Sequence, residues 1–132
     1  MSVLAWWAVA AVVVVVVVLL ARLLDGPVQR GRDALARRRL AGLRAEALLW
    51  AWLSAEQHAQ YRARGWFEVT TVAGRRYRIR PGGVVGLEPR RVYYCIEATS
   101  PVPIADEMLA YKLLLETDER RFLATAHRSP DL

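Results

Sequence analysis

A single cysteine, Cys95, among 132 residues excludes an intramolecular disulfide and any multi-thiolate metal site. Histidine is nearly as scarce. His58 has no second His, Cys or carboxylate at ligand spacing, so it reads as an ordinary surface or half-buried residue, and no metal site is expected. Gly82, Gly83 and Gly86 match neither a P-loop nor G-x-G-x-x-G and are explained by turn formation. There is no zinc-finger spacing, helix-turn-helix signature or RNP-type aromatic motif. The acidic group Glu116, Asp118 and Glu119 is followed at once by Arg120 and Arg121 and fits a helix start better than a pair of catalytic carboxylates. The sequence therefore predicts no catalytic residues, no cofactor and no enzymatic activity.

The first 21 residues lack charge altogether. They contain seven consecutive valines, Val12 to Val18. A helix rises about 1.5 Å per residue and needs roughly 20 apolar residues to cross a hydrocarbon core about 30 Å thick. Valine is a mediocre helix former in water, but within lipid every backbone N–H and C=O must be paired inside the segment, which leaves helix as the solution for one span. A secretory signal would carry a basic region ahead of a shorter apolar core; here no Lys or Arg precedes the run, and the run is too long. A transmembrane helix over residues 1–24 is the expectation, with Trp6 and Trp7 at one interface and Arg22 snorkelling at the other.

Charge then sets a direction. Residues 22–91 hold 15 arginines against 6 acids, whereas residues 92–132 carry 4 basic and 7 acidic groups. Arginines crowd just after the span, so the positive-inside rule places Met1 outside and the C-terminal bulk in the cytoplasm, with the span in the cell (inner) membrane. The excess near the membrane also suits attraction to anionic headgroups, so the overall charge of +6 does not require nucleic acid.

Asp25-Gly26-Pro27 and Gly31 predict a hinge over 25–32. A basic juxtamembrane helix follows over 33–52, in which Ala36, Leu40, Leu43, Ala47 and Trp50 are spaced 4, 3, 4, 3 and form one stripe. The stripe suits packing on the chain's own domain or a neighbouring subunit, or lying on the membrane surface. Two heptads are too few to define a coiled coil.

Residues 53–128 read as a cytoplasmic α+β domain. Ser54-Ala55-Glu56-Gln57 is a capping box that opens a helix ending at Gly65. From Trp66 the period becomes two: Phe67, Val69 and Thr71 share a face, and Tyr77 and Ile79 point opposite to Arg76, Arg78 and Arg80. Further strands over Val84 to Leu87 and Val92 to Glu97, with turns at Pro81-Gly82-Gly83 and Glu88-Pro89, complete a four-stranded antiparallel meander packed with helices. After Pro101-Val102-Pro103, Ile104 to Glu116 should be a largely buried helix. Thr117 or Asp118 then caps a short last helix carrying Phe122, Leu123 and Ala126, before Ser129-Pro130.

Gly65-Trp66-Phe67-Glu68-Val69, Tyr77-Arg78-Ile79-Arg80, Cys95-Ile96, Asp106, Met108-Leu109, Lys112 to Glu116 and Phe122-Leu123 together resemble a small uncharacterised α+β domain found on hypothetical bacterial and phage proteins. The resemblance covers residues 53–126 and implies a fold but no catalytic residue.

These features point to a single-pass accessory or structural subunit of a larger membrane protein complex, such as an energy-transducing assembly. The alternative is a membrane-tethered basic module in which Arg37, Arg38 and Arg39 with Arg76, Arg78 and Arg80 contact anionic lipid or nucleic acid.

Overall fold

In the computed structural model, which describes residues 3–130 and the side chains of all but 3–5, 24, 25, 27 and 130, the first element is a 50-residue helix, α1 (Val3–Trp52). The charge rule's placement of Met1 lies outside these residues. The expected hinge over 25–32 is absent, since α1 runs unbroken through Gly26 and Pro27. Glycine and proline weaken a helix by about 1 and 3 kcal/mol relative to alanine. Here they stand as a pair between flanks rich in leucine, alanine and arginine, and the flanks carry the helix through. The juxtamembrane helix over 33–52 is consequently a continuation of α1 rather than a separate element.

The chain divides into two units, Met1–Leu40 and Ala41–Leu132. In the first, α1 is long and apolar enough to cross a membrane: its apolar window has a mean hydropathy of 2.8 and no buried residue. Trp6, Trp7 and the valines from Val12 to Val18 all stand exposed.

The second unit is α+β. After the end of α1 come α2 (Ala55–Arg64), β1 (Phe67–Thr70), β2 (Arg76–Arg80), β3 (Gly83–Gly86), β4 (Val92–Cys95), α3 (Ile104–Thr117), α4 (Glu119–Thr125) and β5 (His127–Pro130). All neighbouring strands are antiparallel in the order β1-β2-β3-β4-β5. The sheet thus has five strands, not four. The fifth is the run His127-Arg128-Ser129-Pro130, which has no apolar alternation and takes strand form by pairing along β4.

The α2 boundaries follow local chemistry. Ser54 and Gln57 complete the reciprocal capping box, and Gly65 ends the helix at φ 72°, in the left-handed region. Asp118 accepts from the N–H of Arg121 at 3.0 Å and so caps α4.

One sheet face forms the core. Phe67, Ile79 and Val84 sit side by side across β1, β2 and β3, and they pack with Leu49, Met108, Leu115 and Phe122. Of the expected stripe, Trp50 packs against His58 and Tyr61, while Ala36, Leu40, Leu43 and Ala47 are exposed on this chain; the buried set is Ala45, Leu49 and Leu53. The latter set also repeats every four residues, and it includes the residues nearest the start of α2, where the chain turns back. α2 also shields an edge of the sheet. Gln60 accepts from the Glu68 N–H at 2.8 Å and Gln57 donates to the Glu68 carbonyl at 2.9 Å, so β1 offers fewer unpaired groups to another strand.

Candidate functional site

The arginines of the hairpin do stand together on the outer sheet face, but the face also supplies their partners. Glu68 lies opposite Arg78 in the β1–β2 register. Its carboxylate accepts from Arg78 at 2.9 Å and from Arg76 at 2.6 Å. The Arg78 guanidinium also covers the Trp66 ring at 4.0 Å, with Arg64 at 5.0 Å from the same ring, and Arg80 lies 5.1 Å from the Tyr93 ring centroid. Tyr93 in turn donates to the Gly82 carbonyl, and its ring lies against Gly83, where a Cβ would come within 2.6 Å of the ring. Glycine at 83 is therefore a packing requirement. Sequence reading missed Glu68 as their partner; its alternation onto the outer face of β1 was a signal, but the pairing opposite Arg78 comes from the register.

Burial alone would raise the Glu68 carboxyl, but the hydrogen bonds and charges of Arg78 and Arg76 outweigh it and hold the group below the usual carboxylate range. A lowered folded-state value means that the contribution to stability is complete above the unfolded glutamate value, about 4.3, and is lost as pH falls through the folded one. Thermal unfolding of the wild-type chain should therefore weaken more between pH 5 and pH 3 than that of Glu68→Gln; parallel pH profiles would contradict the pairing. The difference should shrink in high salt, because both arginines are partly exposed.

Arg37, Arg38 and Arg39 are all exposed on α1, with Arg37 Nε donating to the Asp33 carbonyl at 3.3 Å. Trp6, Trp7 and Arg22 are likewise exposed. His58 contributes to packing: its Nε2 lies 2.5 Å from the Trp50 carbonyl and its ring 4.8 Å from the Trp50 ring.

The acidic group near the start of α4 separates into individual tasks. Glu116 pairs with the buried Lys112, and Asp118 caps α4. Glu119 collects three groups from the first hairpin: the Thr71 hydroxyl at 3.0 Å, the Tyr77 hydroxyl at 2.5 Å and the Arg75 guanidinium at 3.2 Å. Burial first, and then the bond to Glu119, push the Tyr77 phenol well above its ordinary value, so it remains a donor. Among the described residues no buried side-chain nitrogen or oxygen lacks a partner, and no group of three His, Cys, Asp or Glu could hold a metal ion.

Two depressions among the described residues bear on function. One, of about 410 Å³, is lined by Arg75, Arg90 and Arg128 together with Tyr77 and Tyr94. Sequence reading missed it because Arg128 arrives through β5. The other, of about 330 Å³, is an apolar groove between the end of β4 and α3, with Ile96, Val102, Ala110 and Leu114 in its walls and Asp106 and Glu107 at its rim. Tyr111 holds it in shape, its hydroxyl donating to Glu107 at 2.7 Å and accepting from the Ile96 N–H at 3.3 Å.

Comparison with protein-family models, curated proteins and solved structures gives no match.

Proposed function

We propose that this protein is a non-enzymatic, single-pass accessory subunit of a larger membrane protein complex, for which an energy-transducing assembly is the leading type. The observation that carries the reading is an exposed, wholly apolar helical segment joined in one chain to a folded unit in which the conspicuous charged groups, Glu68, Glu119 and Lys112, are spent on internal pairs. A lone span without ionisable residues cannot conduct or pump by itself, and its function lies in placing the rest of the chain.

By the arginine distribution, the N-terminus is outside the inner membrane and the α+β unit is cytoplasmic. The groove beside α3 supplies an apolar docking surface with an acidic rim, suited to a partner segment with apolar anchors and basic flanks. The resemblance of residues 53–126 to a domain of bacterial and phage proteins enters this proposal as fold alone.

Solubilisation from native membranes in mild detergent should yield the chain co-migrating with other membrane proteins at defined stoichiometry. A clean monomer at native expression would sink the reading. A second reading, contact with anionic headgroups, is favoured by the exposure of Arg37, Arg38 and Arg39. Nucleic acid is less well supported, because Arg76 and Arg78 are already engaged by Glu68.

A further inference from the structure

The arginine-lined depression takes three arginines from separate parts of the chain: Arg75 before β2, Arg90 in the β3–β4 turn and Arg128 in β5. Their states differ. Arg75 is held by Glu119 at 3.2 Å, whereas no carboxylate among the described residues pairs with Arg90 or Arg128. The lining has one carboxylate, Glu88, which is 61% exposed and lies 3.9 Å from Arg76. Elsewhere on the sheet the arginines have partners: Arg76 and Arg78 have Glu68, and Arg80 has Tyr93. Positive charge is left uncompensated at this cleft.

The register fixes the arrangement further. Arg128 lies opposite Tyr94 in the β4–β5 pairing, so the guanidinium-bearing residue and the ring belong to one sheet face. Tyr77, Val92, Tyr94 and Leu123 give the cleft low-dielectric walls, which concentrate the field of the cations rimming it. Converging like charges repel one another, and a bound anion relieves that repulsion. A guanidinium presents parallel N–H donors to oxyanions, and a tetrahedral dianion can accept them from several directions, as a planar carboxylate cannot. The volume, about 410 Å³, is that of a small-ligand site.

We propose that this cleft binds a phosphate dianion, held by Arg90 and Arg128, with the Glu119-paired Arg75 adding its charge to the lining. The phosphate is either inorganic phosphate or the monoester headgroup of a lipid such as phosphatidic acid. The site is independent of the accessory-subunit reading.

The test uses the full chain. In detergent micelles, calorimetric titration with inorganic phosphate is run at ionic strength matched with chloride. In parallel, the thermal midpoint is measured in nanodiscs of phosphatidylcholine with and without phosphatidic acid. Phosphate binding in micelles assigns the soluble ion, and stabilisation confined to phosphatidic acid discs assigns the headgroup; either supports the site. The double substitution Arg90→Gln and Arg128→Gln should weaken the response at least tenfold, while Arg121→Gln, an exposed arginine outside the cleft, leaves it unchanged. Arg90→Gln alone, in an exposed turn, should show a partial loss and serves if the double variant does not fold. A response that survives these cleft substitutions, or the absence of any phosphate-specific response in both formats, overturns the proposal.

Discussion

Phe122→Ala should cost the α+β unit about 3–5 kcal/mol, the range for truncating a buried aromatic ring. The ring is fully buried in α4 and meets Tyr77, Tyr94 and Tyr111 edge-on, at centroid distances of 6.2, 5.6 and 6.1 Å. It is the point where α4, α3 and two strands share one contact, and edge-to-face pairs add to the area buried. Removing it leaves a cavity that three tyrosines cannot close without breaking their own arrangement, since Tyr77 is tied to Glu119 and Tyr111 to Glu107. A small domain holds only about 5–15 kcal/mol in total, so the variant should unfold more than about 10 °C earlier. Near-ultraviolet dichroism of the full chain in micelles, which reports the tyrosine cluster, is the measurement. Phe122→Leu should recover much of the loss. A change below about 1 kcal/mol would contradict the packing.

The paired substitution Val12→Lys and Val16→Lys should abolish stable membrane integration. Each lysine near the centre of a span costs about 2.5–3.5 kcal/mol on the insertion scale, while a buried valine or leucine contributes only a few tenths. Two charges therefore offset most of what an apolar window of this length gains. They also lie four residues apart on one helix face, where neither can reach an interface easily by snorkelling. Alkaline carbonate extraction should move the variant from pellet to supernatant, while the Val12→Ala, Val16→Ala control stays with the membrane. Retention of the lysine variant would mean that something other than lipid holds the helix.

Local signals carried far in this chain, and non-local ones did not. The Ser54 to Gln57 box and Gly65 set the limits of α2 through bonds between residues three or four apart, so spacing alone revealed them. The alternation of Phe67, Val69, Tyr77 and Ile79 likewise named the core face of the first hairpin. By contrast, β5 is a strand only because β4 lies beside it, and nothing in His127-Arg128-Ser129-Pro130 announces that neighbour. On α1, the set that packs within this chain is not the stripe that spacing named, Trp50 excepted. Two apolar sets, one through Leu40 and Leu43 and another through Ala45 and Leu49, compete on the same helix, and the path of the chain into α2 selects the second. Glycine and proline at 26 and 27 signalled a break that a long helix absorbs. The arginines of β2 were legible as a group, but their engagement by Glu68 required the hairpin register, and the Arg75, Arg90 and Arg128 cleft required the fifth strand.

Glu119 has a consequence for how this protein can diverge. Because Thr71 and Tyr77 both give their hydroxyls to one carboxylate, which also pairs the half-exposed Arg75, a change at 119 strands two part-buried hydroxyls at once, and a change at any of the three alters what the carboxylate must satisfy. The four positions cannot drift separately. Their substitution effects are non-additive by construction, the second loss costing less than the first. Descendant sequences that abandon the arrangement must cross a poorly tolerated intermediate or replace the set together, as a single heritable block.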